Sequence, residues 1–528
     1  MTEGAIAAVP EEAEYDRRLP ILLAMAMFVL VVDTSLMNVS ISAVVRDIGT
    51  TVSGVQSAIA LEALVSAAFI LIGSKVGDLI GRKLAYVLGL LGYAVGALAM
   101  AFTQSLTAVI VFWAVVGGLG ASLLLPAMQS LIHGNFEGAA QKKAYALVGA
   151  SAAIAAAVGP LFGGFVTTYL SWRVGFLFEV AVIAIVLSGI RLVHDVPYTG
   201  SRRVDGVGGL LSVLAMGGIV LGILLWQEGG ESVLAVLAVG GAALVLLMYW
   251  LRRRKRQGKP TLLDPDLFRS KVFESGVTGQ MLQQIALGGT MIVLPIYLQM
   301  VLEYNALKAG LSLAPLSLTM FAVAVVAGRK AAKRRPAGII RLGFAFLTIG
   351  LVLLIPIVPR ADSGWWLVIP LMIAGCGLGM LVSQLNNYTL SPISDERVSE
   401  AAGVNSAAGS FGLAFAGAIM LATLSLSFTS LATASTVLSP AQQQQVAHAL
   451  ETDAQIMSNT QLEEQLASHP EKVQNEIIRI NTDARHLALQ IALLIPILAG
   501  ALGLLNSFRM MRLPDPVPSE TAEGMVLG

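Results

Sequence analysis

LPILLAMAMFVLVVDTSLMNVS, residues 19–40, decides what kind of protein this is. The run is apolar and long enough to cross a bilayer at about 1.5 Å per residue. Asp33 interrupts it. A carboxylate at that depth costs roughly 2.5–3.5 kcal/mol on insertion scales, so it faces protein or water rather than lipid. Two readings follow. Asp33 is a functional group on an ion or substrate path, or it is a structural acid that bonds a neighbouring helix or sits neutral.

The rest of the 528 residues has the same character: 56% are hydrophobic and 13% charged, against about 25% charged in soluble domains. Mean hydropathy is +0.76. An all-α polytopic membrane protein is expected, and the lipid bilayer is its first partner. Cys376 is the only cysteine, which excludes disulfides within the chain and a Cys-rich metal site. His133, His194, His448, His469 and His486 include no pair with metal-ligand spacing. GxxxxGK[ST] is absent, which argues against ATP as the energy source. No nucleophile–base set appears, so no enzyme and no cofactor is expected. The basic run Arg252, Arg253, Arg254, Lys255 and Arg256 reads as a topology and anionic-lipid determinant, not a nucleic-acid site.

Fourteen stretches read as spans: 19–43, 54–74, 84–103, 107–132, 143–170, 173–191, 206–226, 232–251, 273–300, 309–328, 338–358, 365–390, 402–428 and 487–506. The first is expected to be a retained helix rather than a cleaved leader. An even count puts both termini on one side. Of the 34 lysines and arginines, only Arg46, Arg173, Lys308, Arg360, Lys472, Arg479 and Arg485 fall on the other side. That bias assigns both termini to the cytoplasm and the protein to the cytoplasmic membrane. Charged connectors at 201–205 and 252–271 bracket two plain apolar helices. The expected organisation is therefore 6+2+6: a six-helix unit over 1–193, a two-helix insert over 194–272, and a second six-helix unit over 273–528. Residues 429–486 are too long for a simple turn. Ser439-Pro440 and Pro470 read as helix starts, so a helical hairpin outside the membrane is expected there.

Two motifs carry family information. Residues 74–83 read SKVGDLIGRK: a Gly-rich reversal with an acid and a basic pair. This resembles the signature loop of the major facilitator superfamily, G-x-L-a-D-r-x-G-r-k, matched at Gly77, Asp78, Gly81, Arg82 and Lys83. Ser74 stands where the first Gly is usual and Leu79 where a basic residue is usual. The resemblance implies a conformational latch at Asp78 and Arg82. Residues 155–164 read AAAVGPLFGG, followed by SWRVGFLFE at 171–179. Small residues there let helices approach closely, and Pro160 removes a backbone donor. The pair looks like the antiporter motif of drug-exporting members, matched at Gly159, Pro160, Gly163, Gly164, Trp172, Arg173 and Phe176, with Glu179 where Asn is usual. VVDTSLMNVSI at 31–41, residues 294–318 and residues 397–419 extend the resemblance to the fourteen-helix drug:proton antiporter branch. One departure stands out. The branch carries R-x-x-Q-G-x-G in helix 4, whereas AVVGGLGAS at 114–122 has Ala114 at the Arg position and Gly117 at the Gln position. Either coupling relies on carboxylates alone, or this chain is not a standard proton antiporter.

Glu62 and Glu179 join Asp33 as acids inside apolar runs. Counted from the nearer span end, they lie roughly 12, 9 and 15 Å deep, respectively. Asp33 and Glu62 are expected to form a shared proton and cation site, with Glu179 as a shallower outer station. Asn38, Gln280, Gln284, Tyr297, Gln384 and Asn387 are the candidates to line a substrate path, or else to bond helix to helix. The function expected is export of lipophilic, cationic or amphipathic small molecules by a monomer, driven by inward proton flow. Two rivals remain open: an exporter of an endogenous lipid or metabolite, and a non-transporting sensor or assembly protein working through 429–486.

Overall fold

The computed structural model describes residues 18–515, apart from 51, 196–204, 228–231, 305, 331–334, 359, 362, 395–396, 454–461, 464–465 and 467–469. Its helices are α1 (Arg18–Ile48), α2 (Val52–Ile80), α3 (Arg82–Phe102), α4 (Leu106–Asn135), α5 (Gly138–Tyr169), α6 (Trp172–Ser188), α7 (Gly206–Gln227), α8 (Val233–Arg256), α9 (Lys271–Ile296), α10 (Ala306–Lys330), α11 (Pro336–Ile357), α12 (Val368–Leu390), α13 (Val398–Thr433), α14 (Pro440–Asp453) and α15 (Glu471–Arg512). Each of the fourteen apolar stretches falls on one of them, and α14 stands outside that set. Among the described residues, ten helices are long and apolar enough to cross a membrane. Several helices overrun the apolar stretches, α1 to Ile48 and α13 to Thr433. A helix satisfies its own backbone and has no reason to end where the apolar run ends.

Local chemistry explains the boundaries. Ser171 opens α6 by accepting from the Arg173 N–H at 3.3 Å, and Ser270 opens α9 by accepting from the Phe273 N–H at 3.3 Å. Ser439 accepts from the Gln442 N–H at 3.4 Å just before Pro440, so the start expected from sequence is present. The far part of that hairpin lies outside the described residues. Its base is a small apolar cluster that includes Leu438, Leu462, Leu466, Ile477 and Ile480. Ser435 donates to Glu476 at 2.5 Å, and Arg479 holds the same carboxylate at 2.8 Å. The Arg479 and Ser435 bonds keep Glu476 below the usual carboxylate range. That contribution is therefore present at neutral pH and lost as pH falls through the lowered value.

Packing places the helices in two groups with α7 and α8 beside them. α1 packs on α5 and α6, α2 on α4, and α3 on α4 and α6. α9 packs on α12, α13 and α15, and α11 on α12 and α15. The groups meet where α5 lies against α10 and α12, and where α2 and α4 lie against α13. α7 pairs with α8 and touches both α2 and α13. Polar bridges between the groups gather at the basic end of the molecule. Lys75 meets Glu400 at 3.5 Å, Gln129 donates to Ser406 at 3.1 Å, and Ser130 bonds Ser399 at 3.0 Å. The connector after α8 joins them, with the Asp264 N–H on Glu400 at 2.9 Å and Leu262, Leu263 and Leu267 buried against the same core.

The signature stretch needs one correction. Gly77 and Asp78 are not in a turn: α2 runs through Ile80, and the reversal is the single residue Gly81, at φ 101°. The helix continues because Gly81 alone takes the positive φ that turns the chain. Asp78 and Arg82 then face one another, 3.5 Å apart and both buried, next to the Lys75–Glu400 bridge. Asp195, which the sequence does not flag, accepts from the Lys83 N–H at 3.0 Å and lies 2.9 Å from where a Gly81 Cβ would be. Gly81→Ala should therefore cost about 1–2 kcal/mol from backbone strain alone. A clear drop in the thermal unfolding midpoint in detergent checks it, with Gly258→Ala as comparison: Gly258 also has a positive φ, 66°, but open space around the Cβ position.

Candidate functional site

Asp33 sits in the middle of α1, 1% exposed. The Tyr93 hydroxyl of α3 donates to its Oδ2. The Trp113 indole N–H of α4 lies 3.0 Å from Oδ1 and 3.0 Å from Oδ2. Glu179 of α6 is wholly buried, and its carboxyl faces Asp33. Four helices thus converge on one carboxylate. Glu62 of α2 is only half-buried, and with Asp33 and Glu179 it lies within electrostatic reach of the Tyr93 hydroxyl. Glu179, expected as a shallower outer station, lies close enough to Asp33 for the two carboxyls to interact.

Glycines make the convergence possible. Gly89, Gly92 and Gly96 of α3 form a seam against α4: a Cβ at Gly89 would stand 2.9 Å from the Gly120 carbonyl oxygen, and one at Gly96 2.8 Å from that of Phe112. That approach brings Tyr93 and Trp113 to the same acid. Gly118 serves the other side, where a Cβ would stand 2.9 Å from the Glu62 carbonyl oxygen and 3.0 Å from Val65 Cβ. In α5, Gly159 packs on Ser35 and Gly163 on Leu36, while Gly175 of α6 closes on Leu36 from the other side. Leu36 is a knob in a hole made of glycines, three residues after Asp33. The antiporter-motif glycines therefore fix the position of α1 at the acid, and Pro160 sits between them without ending α5.

Trp172 and Arg173 act at the opposite end from Arg82. The Trp172 indole donates to Asp47 at 3.0 Å, Arg173 pairs with the same carboxylate, and its second guanidinium nitrogen donates to the Thr103 carbonyl at 2.6 Å. They clasp α1, α6 and the end of α3. Gly164 is helical within α5.

The lining candidates separate. Asn38 is exposed and donates to the Thr34 carbonyl of its own helix at 2.9 Å. Gln280 and Gln284 are part-exposed on α9 and lie beside Gly409 of α13. Tyr297 takes the bonding alternative: it is fully buried, and its hydroxyl donates to the Ala361 carbonyl at 2.9 Å, tying the end of α9 to the loop after α11. Gln384 and Asn387 are 1% exposed on α12. Asn387 has no hydrogen-bond partner on either side-chain atom, and Gln384 Oε1 has none.

Tyr93 and Trp113 are the functional residues the sequence reading missed. The available signal was weak: an aromatic with a polar tip inside an apolar run, which needs a partner once buried.

The family profile described as Major Facilitator Superfamily matches residues 23–417. The chain is 25% identical over 428 residues to a probable actinorhodin transporter of Streptomyces coelicolor, covering 79% of this chain and 74% of that one. It is 28% identical to a puromycin resistance protein of Streptomyces alboniger, covering 73% and 78%. It is 24% identical to the multidrug export protein EmrB of Escherichia coli K12, covering 73% and 75%. Among solved structures it resembles the proton:xylose symporter XylE, with TM-score 0.60, 12% identity and coverage of 96% and 98%.

The glycine seams predict their own test. Gly118→Ala must push α2 and α4 apart by a few tenths of an ångström, moving Glu62. A fall in both the thermal midpoint and substrate transport is expected. Gly241→Ala, with open space around its Cβ position, should leave both unchanged.

Proposed function

The chain belongs to the Major Facilitator Superfamily, and on that footing we propose that it exports lipophilic cationic or amphipathic molecules in exchange for protons. The observation that carries this reading is the burial of Asp33 and Glu179 in one cluster, Asp33 held by neutral donors and Glu179 without a hydrogen-bond partner on either oxygen, with the half-buried Glu62 close by. Two carboxylates taken out of water side by side cannot both stay charged at reasonable cost. The pair is built to hold a proton between them. Glu62, the least buried of the three acids, is the one that a cation meets first. An arriving cation stabilises negative charge in this cluster, and the shared proton is expelled. Proton return expels the cation. Each ligand displaces the other through one set of acids, and the coupling is reciprocal.

The superfamily carries small molecules across membranes. The relatives, a probable actinorhodin transporter, a puromycin resistance protein and a multidrug export protein, support the substrate class. The basic end is proposed to face the cytoplasm, because the Lys and Arg bias puts it there. The 6+2+6 division is proposed with it: helices α1–α6 and α9–α13 with α15 rock against one another. The bridges Lys75–Glu400 and Ser130–Ser399 close the basic end. No ATP step is required, and a monomer contains every group named.

In proteoliposomes with an imposed pH gradient, wild type should drive a panel of cationic dyes uphill. Asp33→Asn should lose uphill movement by about tenfold or more. Glu62→Gln should mainly weaken dye affinity. Undiminished uphill transport by Asp33→Asn would overturn the proton role. Movement of a neutral lipid but no dye would favour the endogenous-lipid reading.

A further inference from the structure

The segment Val109–Gly117 of α4 is not α-helical but π-helical, nine residues long. Each i→i+5 step widens the helix and alters which side chains point to α1. Its central residue, Trp113, is 2% exposed and holds Asp33 through the indole N–H, while the neighbouring Ala114 is a buried methyl at 0%. Ala114 is the position where the fourth-helix pattern would put a guanidinium. We propose that Trp113 is a positioning residue for proton exchange, its indole N–H serving as a charge-neutral donor that holds Asp33 where a fixed cation is lacking. The inference rests on Asp33 being the exchanging acid.

The chemistry follows from the donor. An indole N–H only donates and does not ionise. When Asp33 is charged, Trp113 and Tyr93 stabilise it by hydrogen bonds. When Asp33 takes up a proton, no buried positive charge is left behind without a counter-ion, so α4 need not move to solve that problem. A guanidinium at the same place would have to be re-paired in every cycle. The other groups around Asp33 are the Glu179 carboxyl from α6, the Glu62 carboxyl from α2 and the Tyr93 hydroxyl from α3. α5 presents Gly159 and Gly163 to the adjoining turn of α1. With two neutral donors and two further acids, the donors decide how readily Asp33 gives up its proton. The π-helical turn is what sets Trp113 in register.

The experiment is the pH dependence of tetraphenylphosphonium binding to purified full-length protein. Trp113→Phe keeps an aromatic ring, smaller than the indole, and removes the donor. The midpoint of binding should move to higher pH by about one unit or more, because a charged acceptor loses a bond. Affinity well above the midpoint should stay within about twofold of wild type. Tyr93→Phe should shift the midpoint in the same direction. Should Trp113→Phe fail to fold, benzothienylalanine at position 113 keeps the indole outline and replaces the N–H by sulfur. It should give the same shift. An unmoved midpoint beside a normal wild-type profile overturns the role of Trp113 alone. A wild-type protein whose binding is independent of pH overturns both this role and the exchange reading beneath it.

Discussion

A carboxylate removed from water needs donors, and everything around Asp33 can be read as the supply of them. The Tyr93 hydroxyl and the Trp113 indole reach it from two different helices, and the buried Glu179 carboxyl stands nearby. These approaches need close helix packing. They depend on Gly89, Gly92 and Gly96 letting α3 sink onto α4, and on Gly163 and Gly175 enclosing Leu36. Small residues are thus functional here through distance. They convert an expensive buried charge into a held one.

The same economy of space operates at the basic end, with a different outcome. Lys75, Asp78, Arg82 and Glu400 are all buried; Asp78 and Arg82 pair α2 with α3, and Lys75 and Glu400 join α2 to α13 across the two groups of helices. Ser74, which departs from the usual Gly of the signature stretch, packs against Gly403 of α13, so the glycine of that contact is supplied by the opposite helix. The connector after α8 adds Leu262, Leu263 and Leu267 to the closure, together with the backbone N–H of Asp264. The inserted pair α7–α8 is therefore tied into the contact between the two groups rather than appended beside it. Charged bridges of this kind would suit the proposed rocking, because water can take over their hydrogen bonds if the groups part.

The helices, their order and the identity of the acids were legible in the chain, because hydropathy and interruption by charge are local signals. α1 and the position of Asp33 in it follow from residues 19–40 alone. The glycine motif at 159–164 was legible as close packing, though not its partner, Leu36. What escaped was set by contacts distant in sequence. Tyr93 and Trp113 lie 60 and 80 residues from Asp33. Trp113 also depends on a π-helical register, and the apolar run VIVFWAVVG gives no periodic sign of it. The interaction of Glu179 with Asp33 escaped for the same reason, since the two acids lie 146 residues apart in the chain. Gly77 and Asp78 were misread as a turn because Gly81 alone reverses the chain.

A bound cation is proposed to expel a proton held by Asp33 and Glu179. Infrared difference spectroscopy of the protein in lipid, with and without a cationic substrate at fixed pH, observes that proton directly. A protonated-carboxyl band should be lost on substrate binding, and that loss should be absent in both Asp33→Asn and Glu179→Gln. A band that is unchanged by substrate in the wild-type protein, while binding itself is intact, would contradict it.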